Sequence, residues 1–239
     1  MHLYISHPVA GTVGKANENG QHVSNPATGL AGPAGIGFDS AGNLYVACTN
    51  DGTIWKIAPN GTKTRFAQGL AQPKGLAVDH AGNVYALGTD GNIQLFNPAG
   101  QQSLFATVAT NANPYLAFDS AGSLYVSTTR TVVKFTPPSN TPVIVDTVPN
   151  FVYGIAFGAQ DLRYTSLQNS GAILGLPNNG LIPPDNATTF FPTGLAFDSH
   201  NNCLYVAFGD HIRRYNPGGT TAANYPRPNE KIQYLAVGP

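Results

Sequence analysis

The chain has 239 residues and a mass of 25.0 kDa, enough for one large domain or two small ones. Charged residues are only 10% of it, well below the usual quarter or so, and twelve Lys and Arg offset twelve Asp and Glu. The sequence has no basic stripe for phosphates, no 18-residue apolar run and no signal-peptide pattern at its start, so the expectation is no nucleic-acid partner and no membrane span.

In chain order, the first strand-like segment is "HLYIS" (2–6). Residues 3–20 match 44–61 at a constant offset of 41: Leu-Tyr-Ile-Ser on Leu-Tyr-Val-Ala, Gly11-Thr12-Val13 on Gly52-Thr53-Ile54, and Gly20 on Gly61. A second phrase then recurs as "GIGFD" (35–39), "GLAVD" (75–79), "YLAFD" (115–119), "YGIAF" (153–157) and "GLAFD" (194–198). Its aspartates Asp39, Asp79, Asp119 and Asp198 are spaced 40, 40 and 79 apart, and Gly158 fills the gap in the last interval. Each copy is short, apolar and β-prone. Asp-x-x-Gly, or a variant of it, follows as a hairpin turn. Next come "NLYVA", "NVYAL", "SLYVS", "DLRYTS" and "CLYVAF", in which Leu and Val face one way and Tyr the other. Both faces are apolar, as in sheets covered on both sides. A third strand ("TIWKI", "NIQLF", "VVKF", "AILGL", "IRRY") and a more polar, outermost fourth ("TKTRFA", "SLFATV") complete the unit. No segment has capped helical periodicity over more than about ten residues. The last copy, "YLAVGP" (234–239), stops at the turn.

Four antiparallel strands in about 40 residues is the arithmetic of a β-propeller. The fold expected is all-β, a six-bladed β-propeller of four-stranded antiparallel blades in one domain, 1–239. Blade one covers 31–69, blade two 70–108, blade three 109–147, blade four 148–189 and blade five 190–229; blade six joins 230–239 to 1–30. The N-terminus supplies three strands of that last blade and the C-terminus the innermost one, which pairs edges that an open ring would expose.

The phrase Pro-x-Gly-[Ile/Leu]-Ala-[Phe/Val]-Asp-x-x-Gly-Asn-[Leu/Val]-Tyr-Val resembles the NHL repeat, as in Pro73–Asp79 and Pro192–Asp198, and this resemblance also implies six blades. It spans nearly the whole chain. Two departures stand out. Only "GDHIRRY" (209–215) approaches the Asn-x-Arg often found entering the third strand, and blade four lacks the turn aspartate and has an irregular outer edge in "PNNGLIPPDNATTF". The six-bladed lactonase and SMP-30 group and the virginiamycin B lyases are more distant look-alikes.

In such a ring the connections between blades and the turns between second and third strands share one face, the mouth, where ligands bind. The outer level of the inner ring reads Ala34, Lys74, Pro114, Tyr153, Thr193 and Gln233; one step inward it reads Gly35, Gly75, Tyr115, Gly154, Gly194 and Tyr234; the turn ring offers His7, Asn50 and Asp51, Asp90, Arg130, Asn169, Asp210 and His211. The ligand-binding candidates are Lys74, Tyr115, Tyr153, Thr193, Gln233 and Tyr234, an aromatic and neutral-polar funnel suited to a small molecule, a glycan, a peptide or another protein. The alternative for the tyrosines is that they fill the channel. No carboxylate stands at either level, so the calcium site that the lactonase resemblance implies lacks its acidic ligands there. His7, Asp51, Asp210 and His211, from consecutive blades, are the candidates for a metal, since NHL-like peptidylglycine lyases hold zinc with histidines from separate blades; the bland reading is solvated loop and turn residues. No cofactor motif occurs, neither a nucleophile elbow nor a Gly-rich phosphate loop. Cys48 and Cys203 have no metal or redox spacing. Asn60-Gly61-Thr62 and Asn186-Ala187-Thr188 fit the glycosylation acceptor pattern.

The reading is a binding or interaction module of an exported or surface protein. One alternative is a metal-dependent lyase or hydrolase with its site at the channel mouth; another is a structural subunit of a surface assembly.

Overall fold

The computed structural model describes residues 1–109, 113–148, 151–167, 171–176, 180–182, 191–209, 211–216, 221–226, 232 and 234–239. These form six four-stranded antiparallel sheets. From the centre outward, blade one is Pro33–Phe38, Leu44–Cys48, Thr53–Ile57 and Lys63–Ala67. Blade two is Gly75–Val78, Val84–Leu87, Asn92–Phe96 and Gln102–Thr107, and blade three is Leu116–Phe118, Leu124–Ser127, Thr131–Phe135 and Val143–Thr147. Blade four runs Val152–Phe157, Arg163–Leu167, Ile173–Leu176 and Gly180–Ile182, and blade five Leu195–Asp198, Cys203–Ala207, His211–Tyr215 and Thr221–Pro226.

Blade six is built from both ends. Leu235–Gly238 is its innermost strand, followed by His2–His7, Thr12–Ala16 and His22–Ala27. The seam is antiparallel, with His2 opposite Gly238, Leu3 opposite Val237, Tyr4 opposite Ala236 and Ile5 opposite Leu235. The innermost strand of every blade touches that of the next, including blade six onto blade one. The six-bladed ring expected from the repeat is therefore present, closed as its truncated last copy implied.

The alternation along each second strand explains how the blades pack. In blade one, Leu44, Val46 and Cys48 pack with Tyr4 and Val13 of blade six, while Tyr45 and Ala47 pack with Leu76, Val84 and Phe96 of blade two. Each strand thus serves two interfaces, and burial on both faces stabilises the sheet by roughly 25 cal/mol per Å² of apolar surface.

The face opposite the mouth carries a repeated polar turn. Asp39 Oδ1 accepts from the amides of Ala41 (3.1 Å) and Asn43 (2.8 Å), and its Oδ2 accepts from Asn43 Nδ2 (2.8 Å) and the Tyr45 hydroxyl (3.2 Å). Asp79 bonds Ala81 and Asn83 in the same way, and Asp198 bonds His200 and Asn201. A third-strand lysine lies opposite the tyrosine and over its ring: Lys15 on Tyr4, Lys56 on Tyr45 and Lys134 on Tyr125, at 5.1 to 5.5 Å from the centroid. The recurring aspartates are structural. Burial works to raise the carboxyl pKa of Asp39, but the Asn43 amides, the Tyr45 hydroxyl and the Lys56 ammonium outweigh it and leave it lowered.

Blade four breaks the pattern. Where blades one to three have Asp-x-x-Gly and blade five Asp198-Ser-His-Asn, it has Gly158 and a short 3-10 turn, Ala159–Asp161, with Gln160 and Asp161 both at positive φ. The carboxylate of Asp161 turns outward to blade three, accepting from Ser120 N (2.9 Å) and Ser120 Oγ (2.6 Å). Arg163, buried, pairs with Asp146 of blade three. The lost turn aspartate is thus replaced by two polar links between blades.

Candidate functional site

At the axis, blades three and six face each other across the ring and contribute the two large residues of the innermost level. Tyr115 and Tyr234 stack with centroids 4.6 Å apart and planes 15° from parallel. Both are buried, at 6% and 3% exposure, and the Tyr234 hydroxyl donates to the Pro114 carbonyl (3.3 Å). The glycines at equivalent positions let neighbouring inner strands approach closely. A Cβ on Gly35 would stand 2.4 Å from the Lys74 carbonyl oxygen, and one on Gly75 would stand 2.4 Å from Leu116 Cδ1. Burial drives both phenol pKa values up; the neighbouring phenol of Tyr234 adds to this for Tyr115, and that of Tyr153 for Tyr234.

Buried serines of the second strands pin this level. Ser127 Oγ accepts from Tyr115 N and Ser166 Oγ from Gly154 N, both at 2.7 Å, and Ser6 Oγ donates to Tyr234 O (3.5 Å). They stand two residues after the repeat tyrosine, a position the sequence reading passed over because alanine or leucine fills it in the other blades.

The candidates named from sequence divide accordingly. Tyr115 and Tyr234 meet at the axis and close it, and Tyr153 lies beside them, half-buried. Thr193 stitches blades together: its hydroxyl donates to the carbonyls of Ala207 (3.3 Å) and Ile232 (3.2 Å), and its own carbonyl accepts from Ser166 Oγ (3.0 Å). Gln233 lies outside the described residues. Lys74 stands apart from this group, on the rim toward the seam.

There the mouth opens into a depression of about 420 Å³ lined by Pro8, Val9, Gly32, Ala34, Thr49, Asn50, Lys74 and Asn113. Four blades contribute: the hairpin turn of blade six, the entry and turn of blade one, and the connections into blades two and three. Its walls are fixed by backbone bonds. Lys74 N donates to Leu87 O (3.0 Å), Lys74 O accepts from Gly35 N (2.7 Å), and Asn50 N donates to Ala31 O (3.0 Å). Thr49 Oγ1 donates to Pro73 O (3.0 Å). Gly32, at φ +67°, lets the Asn50 carboxamide lie against the backbone; a Cβ there would be 2.8 Å from it. Val9 is 85% exposed and forms an apolar lip. Among the described lining residues Lys74 is the one charged side chain, and burial lowers its pKa. Asn50 belongs to the turn ring read from sequence, whereas Pro8, Val9, Thr49 and Asn113 were missed. Their contribution depends on how far each loop leans inward, which the repeat does not record.

The described metal candidates, His7, Asp51 and His211, form no group of three. Asp51 Oδ1 accepts from Thr53 N (3.2 Å) and Thr53 Oγ1 (2.8 Å), holding its own turn. His211 is buried and stacks on Phe208 at 5.2 Å. His7 ends the second strand of blade six beside Gly14, and Asp210 lies outside the described residues. Among the described residues no three His, Cys, Asp or Glu side chains converge. No helix among them is long and apolar enough to cross a membrane. Asn60 is exposed in a turn where its Oδ1 accepts from Thr62 N (3.0 Å); Asn186 lies outside the described residues.

No family model and no curated protein sequence matches the chain. Solved structures do. A chain of the nidogen/laminin complex superposes with a TM-score of 0.84 at 13% identity, covering 98% of this chain and 97% of that one. A gluconolactonase from Xanthomonas campestris gives 0.71 at 14% identity, with 98% and 87% covered. A streptogramin B lyase gives 0.68 at 16%, with 96% and 74% covered. At these identities the likeness is one of fold.

Proposed function

We propose that the protein is an NHL-like propeller that binds a ligand or a partner protein through its mouth face, as part of an exported or surface protein. The observation that carries this reading is an open depression on the rim: Tyr115 and Tyr234 stack at the axis, and the depression beside the seam offers a concave surface to a ligand. Its volume falls in the range of small-molecule sites, and its mixture of amide, hydroxyl and aliphatic groups suits recognition more than bond-breaking. The nidogen/laminin likeness, almost end to end in both chains, fits a propeller that meets another protein.

A labelled sample of the protein on mixed glycan and peptide arrays tests this. The expected result is a set of bound features that disappears with Asn50→Trp, which fills the depression from its wall. Binding unchanged by that variant would place recognition elsewhere. One stoichiometric zinc or calcium per chain by elemental analysis would favour the lyase or hydrolase reading instead.

A further inference from the structure

The outermost strands of the blades differ in what they show to solvent. Such a strand offers an unpaired backbone edge, and charge or proline on it discourages another chain from pairing there. Blade one sets Lys63 and Arg65 on its edge, and blade six carries Pro26. Blade three has neither. Val143, Ile144 and Val145 stand in a row, exposed at 61%, 62% and 36%, and the one charge on the strand is Asp146. The difference begins at the β-bulge between third and fourth strands. In blades one and two the residue left unpaired there is Phe66 or Phe105. Each turns inward, edge-on to the tyrosine of its own blade (Tyr45 at 5.0 Å, Tyr85 at 5.2 Å) and against a third-strand phenylalanine, Phe96 or Phe135, of the next. In blade three that residue is Val145. The Arg163 guanidinium covers Tyr125 instead, 5.3 Å from its centroid, and its pairing with Asp146 ties the strand to blade four.

We propose that this edge pairs with the same edge of a second copy, antiparallel about a twofold axis at Ile144, so that the four strands of blade three join four more in one continuous sheet. Among the described residues no strand lies on the outer side of Val143–Thr147, so its outward backbone groups can extend the ladder. The register is self-complementary. With Ile144 opposite its own counterpart, Val143 of each copy meets Val145 of the other, and β-branched side chains pack well across a pleated surface. A twofold axis also sets like charge near like, so an edge such as Lys63–Ala67 repels its own copy. In blade three Asp146 falls opposite Pro142 and is held by Arg163, while Lys134, opposite Val143 within the blade, is held by Asp119. An occupant must match an uncharged, β-branched row, and the chain itself carries one. Five residues cover a small part of the roughly 800 Å² per partner of a standard interface, so the dimer is weak and concentration-dependent. The paired strands run in opposite directions, so the two mouths open opposite ways, and the pairing strand shares no residue with the depression.

Sedimentation equilibrium from about 5 to 500 µM tests this. The expected result is a monomer–dimer equilibrium with a dissociation constant of about 10–300 µM. Ile144→Lys and Ile144→Glu, each with a native melting curve, weaken it by about tenfold or more, because like charges meet on the axis. Mixing the two variants restores a dimer, a rescue that a change in local packing would not give. Arg65→Glu, on the edge of blade one, leaves the equilibrium unchanged. A monomer throughout the range would overturn the proposal, as would a dimer insensitive to both Ile144 variants. A monomer whose Val143–Thr147 amides shift in backbone NMR on addition of a peptide of alternating valine and threonine would assign the edge to a strand of another chain, and self-pairing would again be overturned.

Discussion

The two faces of the ring use the same repeat for opposite ends. On the face away from the mouth, one position is Asp in four copies, and three of them make the same fan of bonds to turn amides and a following Asn. On the mouth face the corresponding register holds Ala34, Lys74, Pro114, Tyr153, Thr193 and Gln233, no two alike. Repetition marks residues that hold the framework, and its absence marks residues free to differ for another purpose. The axis lies between these extremes, with four glycines and two opposed tyrosines.

The largest effect expected is on the ring as a whole. Deleting residues 231–239 removes the innermost strand of blade six and exposes the edge of His2–His7, so the chain is expected to unfold or aggregate, read by size exclusion and thermal melting. A monomer with an unchanged melting temperature would break the comparison at its root. Next is Gly35→Ala at the axis, where the added Cβ meets backbone atoms of Lys74 and Leu76; the expected cost is about 1–3 kcal/mol in denaturant unfolding.

The faces are compared directly by Asp39→Ala against Asn50→Ala. The first loses a carboxylate that accepts four bonds and is expected to cost about 1–2 kcal/mol; the second should stay within about 0.5 kcal/mol. Because the folded pKa of Asp39 is lowered, its contribution is present above the unfolded carboxylate range and is lost as pH falls through the folded value. Acid unfolding of Asp39→Ala should therefore start from a lower stability and slope less steeply than that of the wild type.

Most of the fold was legible because the repeat overdetermines it. Asp39, Asp79 and Asp119 fix the period, the Tyr and Val alternation fixes which side of each strand meets which neighbour, and "YLAVG" has no place except the empty inner position of blade six. The site was legible in part. Lys74 and Asn50 follow from register, which carries over from blade to blade. The meeting of Tyr115 and Tyr234 needed the knowledge that blades three and six stand half a turn apart, with glycines between. Pro8, Val9 and Asn113 enter the site through the shape of individual loops, and no periodic signal encodes that. Blade four was visible as a departure, but its substitute contacts, Asp161 to Ser120 and Arg163 to Asp146, join residues 41 and 17 apart in a place where the repeat offers no template.

The tyrosine pair has a mechanical consequence. A ring of leaning wedges resists twisting at every joint but yields more easily to flattening into an oval. Tyr115 and Tyr234 act as a crossbar on one diameter: shortening that diameter presses two rings already 4.6 Å apart, and lengthening it pulls apart a buried contact. The two blades that carry the crossbar are the ones that bound the depression, through Pro8 and Val9 at one end and Asn113 at the other. Its span is thus held at a set width by a brace at the axis.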